Sequence, residues 1–566
     1  MTANIDINYW EQLLTSLNNV KDEKELNEIA DIFVKQLLED DKNNAISKFA
    51  TLCPRMKTAI DKKTKIAHKI ALKLYPIEKE EDKIASYIAY CQLRSKLKKR
   101  YDEHVKKVEE ENKQKKKWEA DEYKKSRGTG QYCLWSKLKE KKELSNQILN
   151  PTPMPVEIAP FEDLKPFFDF LKSNGKLDSN EEFKEFKRGI FYSDGRIDLC
   201  KQVVGPTSIG ELMKSIRFNQ DIKHFLLGNN IINTVGAIEI ANFIHNSNDP
   251  KSDLAHLKSH IKTWYIAGNE INSEGIQKIA EALKTDNDCT SLWLKRNPLK
   301  VEGGKYLGEM LKVNKKLKIL DLQNTGLLDE GIKYLMEGLK SNNTLRYLYL
   351  DANGITIEGA KCIADYFDHI NKTGQKGLTG LWLEMNRMGN DGISVIAESL
   401  KNNKSLKRLA VGSNRIEVNG IKNLCDALEN HPTLMMLFVG MYKATADMHE
   451  LGNQIGNEGV KHICKLLENN KKIQLFSISH NNIEIEGINK IAKTISENKS
   501  LLYFEYEQFG LKIDQSVRDI INKTINENCI NNLGIDFNTF VKNNLKNYKH
   551  GSQIRFIDSN YRNNGK

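Results

Sequence analysis

The chain has 566 residues, which at roughly 150 residues per domain allows two to four domains and sets no limit on core size. An apolar fraction of 39% and a charged fraction of 28% exclude wholesale disorder, and 11 Pro with 35 Gly exclude collagen-like or proline-rich architecture. The formal net charge of +11 is uneven: residues 51–127 carry 23 Lys+Arg against 13 Asp+Glu, so any strongly anionic partner is expected at that segment.

No apolar run approaches the ~18 residues of a membrane span. The start, MTANIDINYWEQLL, has no basic region leading into an apolar one, so no secretory signal is expected. Nine cysteines are scattered singly, from Cys53 to Cys529, with no CxxC pair. That pattern argues against a disulfide framework and a zinc finger. The expected location is the cytoplasm, or a host cytosol reached without a classical signal.

In chain order, residues 1–149 are predicted to form a small all-α domain. Leu13, Leu14 and Leu17, then Ile29, Ile32, Phe33 and Leu37, fall at helical spacing. Residues 97–125 are charge-dense and predict a long solvated helix. A weaker alternative is docking of 51–127 on nucleic acid or an anionic surface, with Tyr101, Trp118 and Tyr123 available to stack. Residues 150–190 read as a linker opening on NPTPMPVEIAP, followed by a short amphipathic helix over 161–174.

From 191 to 530 a repeat organises the chain. The template L-x-x-L-x-L-x-x-N-x-L starts at Ile222, Ile261, Cys289, Leu317, Leu345, Leu378, Leu406, Leu434, Ile473 and Leu501. One 28-residue period with insertions of 11, 5 and 11 residues explains all ten starts. Positions 4 and 6 alternate with exposed residues, as in a short strand with one buried face. Position 9 is usually Asn, whose amide both donates and accepts in a buried turn; Thr325 and Phe509 replace it in two repeats, and the Leu434 repeat is interrupted after Gly440. A helix follows, as in Ser273–Leu283, with Ser273 the expected cap and Ile276, Ile279, Ala280 and Leu283 on one face. A Gly recurs six residues after position 9, from Gly236 to Gly487, and is expected to let the helix start lie close to its neighbour.

These repeats resemble the leucine-rich repeats of the ribonuclease-inhibitor-like class, and are similar to those of NOD-like receptors and Ran GTPase-activating proteins. The resemblance covers about 194–518 and implies an α/β horseshoe solenoid with a parallel sheet inside and helices outside. A degenerate repeat over 191–216 is expected as the N-terminal cap. A helix with Val517, Ile520, Ile521 and Ile525 is expected to close the other end. The tail 531–566 has too few clustered apolar residues for a core, although Phe537, Phe540 and Phe556 are placed to dock.

No catalytic signature is present. There is no GxxxxGK[ST] loop, HExxH or GxSxG, and GITIEGAK (354–361) falls on a strand-to-helix turn. No metal site and no cofactor are expected, lone histidines such as His224 and His480 read as surface residues, and Cys362, Cys425 and Cys464 read as core filler.

The sharper expectation concerns the concave face, which positions 3, 5, 7 and 8 would line. They place Tyr265, Trp293, Asp321, Tyr347, Tyr349 and Trp382 there, with Lys295, Arg296, Asp351 and Glu384, beside Arg408, Phe438 and Tyr503. Large aromatics flanked by charges are what protein-binding hot spots use. The insertion at about 442–452 enlarges a strand-to-helix loop beside the concavity and adds Tyr442 and His449 as contact candidates. The sequence thus predicts a non-enzymatic interaction scaffold binding a protein partner on the concave face. The alternatives are a small-GTPase regulator and a nucleic-acid-binding adaptor acting through 51–127.

Overall fold

Strands three residues long cannot stand alone, so each must find its partner one repeat away. A computed structural model describes residues 158–248, 260–445, 450–551 and 556–563, with Lys106 and Glu110 as isolated helical positions. The chain divides into two units, Met1–Thr129 and Gly130–Lys566. The expected N-terminal helical domain and the basic segment 51–127 lie outside the described residues apart from those two positions.

The second unit begins with α1 (Phe161–Lys172) and the strands β1 (Phe183–Glu185), β2 (Ile190–Tyr192) and β3 (Arg196–Asp198). Ten strands follow, each preceded by a helix: α2 (Gly205–Arg217), β4 (His224–Leu226), α3 (Asn233–Asn248), β5 (Thr263–Tyr265), α4 (Ser273–Leu283), β6 (Ser291–Trp293), α5 (Lys300–Val313) and β7 (Ile319–Asp321). The array continues through α6 (Leu328–Lys340), β8 (Tyr347–Tyr349), α7 (Ile357–Thr373), β9 (Gly380–Trp382), α8 (Gly389–Leu400) and β10 (Arg408–Ala410). It ends with α9 (Val418–Leu428), β11 (Met436–Phe438), α10 (Gly456–Asn469), β12 (Leu475–Ser477), α11 (Ile485–Glu497) and β13 (Tyr503–Glu505). Four helices follow: α12 (Gln515–Leu533), α13 (Phe537–Asn543), α14 (Leu545–His550) and α15 (Asn560–Asn563).

All thirteen strands form one open sheet in chain order, parallel from β3 to β13. The register aligns position 5 of successive repeats: Tyr265 pairs with Trp293, Trp293 with Asp321, Asp321 with Tyr349 and Tyr349 with Trp382. Positions 4 and 6, such as Leu292, Leu294, Leu320 and Leu322, point the other way and are buried between sheet and helices. Full burial of each such side chain contributes roughly 1.5–3 kcal/mol.

The N-terminal cap is larger than expected. The degenerate repeat supplies β3 and α2, but β1 and β2 extend the sheet antiparallel ahead of it. Phe167, Phe168 and Leu171 of α1 are buried in the same core, so the part of 150–190 that is described belongs to the solenoid body rather than to a spacer. At the other end α12 turns Ile521, Thr524, Ile525, Asn528 and Cys529 inward, while Ile520 is exposed.

Candidate functional site

The turn after each strand fixes what the concave face can present. Position-9 amides form a buried ladder. Asn297 Oδ1 accepts from the backbone N–H groups of Asn269 (2.9 Å) and Ile271 (3.1 Å), and its Nδ2 donates to the carbonyls of Ile266 and Leu294. Asn230, Asn269, Asn353 and Asn386 repeat the arrangement, Asn414 and Asn481 repeat only its donating half, and Thr325 joins it by donating to Leu322 O. Two corrections follow. The interrupted repeat resumes at Asn453, which accepts from Asn414 N and Ile416 N. The last rung is Gln508, whose Oε1 accepts from Asn481 N at 2.8 Å, whereas Phe509 is exposed and stacks on His480. Position 8 is left-handed, as at Arg296 (φ 58°), which takes that side chain out of the strand alternation. Arg296 is accordingly exposed, with Nη2 donating to Asn229 Oδ1 at 3.5 Å.

The position-5 aromatics form a continuous row. Tyr265 and Trp293 lie 6.2 Å apart, Trp293 and Tyr349 5.5 Å apart across the short Asp321, and Tyr349 stacks on Trp382 at 4.1 Å. Trp293 Nε1 donates to Ser291 Oγ (2.6 Å). The expectation that these rings face solvent is corrected: Tyr265, Trp293, Tyr349 and Trp382 are 1%, 4%, 6% and 3% exposed. Described residues of the chain's own C-terminal segment lie against three of them, His550 on Tyr349 and Trp382 and Arg562 on Tyr265.

The described parts of that segment, 545–551 and 556–563, meet the face at two anchor points. At the first, Arg408 Nε donates to Tyr548 O (2.5 Å), and Lys549 pairs with Glu505 (2.9 Å) while lying over the rings of Phe438 and Tyr503. His550 stacks against Tyr349 and Trp382, with Nδ1 3.3 Å from the Tyr349 hydroxyl. At the second, Phe556 stacks on His224 with centroids 4.0 Å apart. Asp198 accepts from Ser559 Oγ (2.9 Å) and Asn560 N (2.8 Å), and Gly189 N donates to the Tyr561 hydroxyl (3.0 Å). The Arg562 guanidinium lies 4.3 Å from the Tyr265 ring and donates to its hydroxyl. Phe540 is fully buried, and Phe537 lies beside Tyr503.

Closure sets the electrostatics. Burial pushes Tyr265 up to about 12. His550 is lowered to about 4 by burial, with Lys549, Arg408, Lys546 and Lys295 acting the same way. His224, buried rather than on the surface as expected, is lowered to about 4, chiefly by burial. Position 7 holds Lys295, Gln323, Asp351 and Glu384 on consecutive strands. Burial raises Asp321, Asp351 and Glu384 above their ordinary values; the Asp321 charge pushes Asp351 the same way, and the Asp351 charge does so for Glu384. Lys295 is lowered by burial and drawn the other way by Asp321. Asp351 Oδ1 accepts from Glu384 N at 2.7 Å. Among the described residues no group of three metal-ligating side chains comes together.

The 442–452 insertion reaches the same face. Tyr442 accepts a hydrogen bond from Gln323 Nε2 at 3.1 Å, and burial pushes its hydroxyl up to about 12. The loop is pinned by Glu450, fully buried between Arg387 (3.1 Å) and Arg415 (3.7 Å), and by Thr445, whose hydroxyl lies 2.7 Å from Ser413 Oγ. His449 lies outside the described residues.

Comparison with known proteins follows the geometry. The family model described as Leucine Rich repeat matches residues 258–280, 313–336, 341–364 and 402–425. The chain carries leucine-rich repeats. Among solved structures it is similar to "Leiomodin-1 Actin-Binding Site 2 (ABS2)", at 20% identity over 30% of this chain and 90% of that one, with a TM-score of 0.25. None of the curated proteins matches it. Among the leucine-rich repeat residues, sequence reasoning missed a second polar row three residues before several of the template starts. Asn314, Asn342, Asn403, Asn470 and Asn498 each accept from backbone N–H groups at the start of the next strand, and His431 does so through Nδ1. The signal was present in the same 28-residue phase.

Proposed function

We propose that the chain is a non-enzymatic interaction protein whose leucine-rich solenoid binds a protein partner on its concave face. The repeats are of the ribonuclease-inhibitor-like class, a placement supported by the 28-residue period and the full helix in each repeat. The observation that carries the reading is the recognition chemistry of the face. Stacking rings, a cation held over Phe438 and Tyr503, the Lys549–Glu505 ion pair and the Arg408–carbonyl bond all engage the short helix α14 without adding a strand to the sheet. Repeat solenoids offer such extended concave surfaces, and buried aromatics with flanking charges supply affinity and orientation. Tyr265, Trp293, Tyr347, Tyr349 and Trp382 are the proposed anchors. Lys295, Asp321, Asp351, Glu384 and Tyr442 are the proposed specificity groups. Free thiols at Cys200, Cys289 and Cys425 fit the reducing compartment this reading implies.

A photo-crosslinking residue at Tyr347 or Phe438, compared with one at Val313 on a helix of the outer layer, tests the proposal in cells. Crosslinks to another protein from the concave positions and none from Val313 are expected. Crosslinks from Val313 alone, or none from either concave position, contradict it.

A further inference from the structure

A second surface lies on the rim where helices hand over to strands. The four connections 314–318, 341–346, 374–379 and 401–407 carry eight Lys+Arg and no Asp or Glu. On the outer helices, by contrast, lysines pair with glutamates one turn back, as Lys312 does with Glu309 (2.7 Å) and Lys361 with Glu358 (2.9 Å); Lys401 pairs in the same way with Glu398. Register lines the rim cations up. Template position 2 of each repeat bonds backbone to backbone with the next: Arg346 N donates to Lys318 O (2.9 Å), Thr379 N to Arg346 O (2.7 Å) and Lys407 N to Thr379 O (2.8 Å). Three rungs of ~4.8 Å put Lys318, Arg346 and Lys407 in a row of roughly 14 Å. Two depressions, of about 670 and 720 Å³, meet at Arg346; Lys316 and Lys318 line the first, Lys376 and Lys404 the second. The Arg346 guanidinium is fixed there by donating to the carbonyls of Asn343 (2.6 Å) and Leu345 (2.8 Å). Arg346 is half-buried, and Lys316, Lys318, Lys376, Lys404 and Lys407 are exposed. Among the described residues Asp288, which faces His260 at 3.3 Å, is the one carboxylate lining either depression, and no aromatic ring lines them.

We infer that this rim binds an acidic polypeptide segment, with Lys316, Lys318, Arg346, Lys376, Lys404 and Lys407 as its cations. Charge complementarity selects an anion and steers its approach. An extended peptide rises ~3.3 Å per residue, so the roughly 14 Å row matches four or five residues, with same-face carboxylates ~7 Å apart. Thr344, Asn402 and Ser405 stand among the cations with hydroxyls and an amide. Those groups both donate and accept, as peptide groups require, whereas a phosphodiester only accepts. Single-stranded nucleic acid is held by stacking its bases on aromatic side chains, which these depressions do not supply. A bilayer surface is too broad to enter depressions of this size. The rim is a site additional to the concave face, and the inference does not depend on that reading.

A fluorescein-labelled decapeptide of alternating Glu and Asp, read by anisotropy at low salt, tests this with the full-length chain. Lys316→Glu/Lys318→Glu/Lys404→Glu/Lys407→Glu reverses the rim. Lys278→Glu/Lys305→Glu/Lys333→Glu/Lys493→Glu reverses as many exposed lysines on α4, α5, α6 and α11, so the two variants match in net charge and both keep the basic segment 51–127. With the parent's melting behaviour, the rim variant is expected to bind about tenfold more weakly than the parent, and the helix variant within about twofold of it. Replacing the same four rim lysines by glutamine serves if charge reversal damages the fold, with a loss of about threefold expected. Equal loss in the rim and helix variants, or no loss in a folded rim variant, overturns the inference. So does rim-dependent binding of an oligothymidylate ten-mer without rim-dependent binding of the peptide. None of the substituted lysines belongs to the aromatic row, so this result and the crosslinking result stand or fall separately.

Discussion

Single amides decide where this chain turns. Asn353 Oδ1 accepts from Thr325 N, Leu327 N and the Thr325 hydroxyl, and its Nδ2 donates to Leu322 O and Asp351 O. Asn353→Ala strands those buried groups, each costing about 1–3 kcal/mol when unmade. A loss of about 2–4 kcal/mol in denaturant unfolding is expected, against little change for an exposed Asn such as Asn287. Position 9 was legible because Asn recurs in phase. Asn453 was hidden because an insertion pushed it eleven residues on, and Gln508 because only its longer side chain, one residue early, reaches the same N–H groups. The cap of α4 shows the same limit: Asn272, not Ser273, accepts from Gly275 N, since either residue type suits the position and backbone geometry chooses.

Between elements, glycine sets the spacing of the outer helices. The recurrent Gly meets the preceding repeat as expected: a Cβ at Gly275 would lie 2.8 Å from Ala237 Cβ, and at Gly420 2.6 Å from Asn390 Oδ1. Helices α5 and α6 go further and meet backbone to backbone, where a Cβ at Gly338 would sit 2.2 Å from Gly308 O. Gly338→Ala is therefore expected to lower stability by about 1–3 kcal/mol through overpacking. Gly374→Ala, with open space but φ of 68°, costs about 1 kcal/mol through backbone strain alone. Thermal melts of the two variants separate the causes. The insertion loop is held by charge instead: Glu450→Ala leaves Arg387 and Arg415 buried without their carboxylate and is expected to cost about 3–5 kcal/mol. Its fold was not legible, because the strand-to-helix phase says where the loop leaves and returns but not that Glu450 turns inward.

Across the whole molecule, the horseshoe was readable and its closure was not. Period, strand alternation and helical faces all lie within one repeat, and parallel stacking follows from them. The tail's contacts join residues 44 to 372 apart and many use polar side chains, so residues 531–566 look too hydrophilic to dock when only apolar clustering is counted. The same contacts make closure pH-sensitive. His224 and His550 are held at about 4 when covered, against an ordinary value near 6.5. Around His550 stand Lys549, Arg408, Lys546 and Lys295; around His224 stand Arg196, Lys262 and Lys223, opposed by Asp194. At these two imidazoles the covered state binds fewer protons, so their contribution to closure is present above about pH 6.5 and is lost as pH falls toward 4, while Asp351 and Glu384, raised by burial, act in the opposite sense. At pH 5 each imidazole opposes closure by up to about 2 kcal/mol. Protease cleavage within 545–551 and 556–563 is expected to rise less between pH 7 and pH 5 in His550→Gln than in the parent chain, with the solenoid still folded in both.

Hydrogen–deuterium exchange of the full-length chain at pH 7 tests closure most directly. Amides of 545–551 and 556–563 are expected to exchange far more slowly than those of an unstructured peptide, and to lose that protection in Lys549→Glu/Arg562→Glu while strands β5 to β9 stay protected. Tail amides exchanging at the unstructured rate in the unmodified chain would mean that the aromatic row lies open, and would contradict the account.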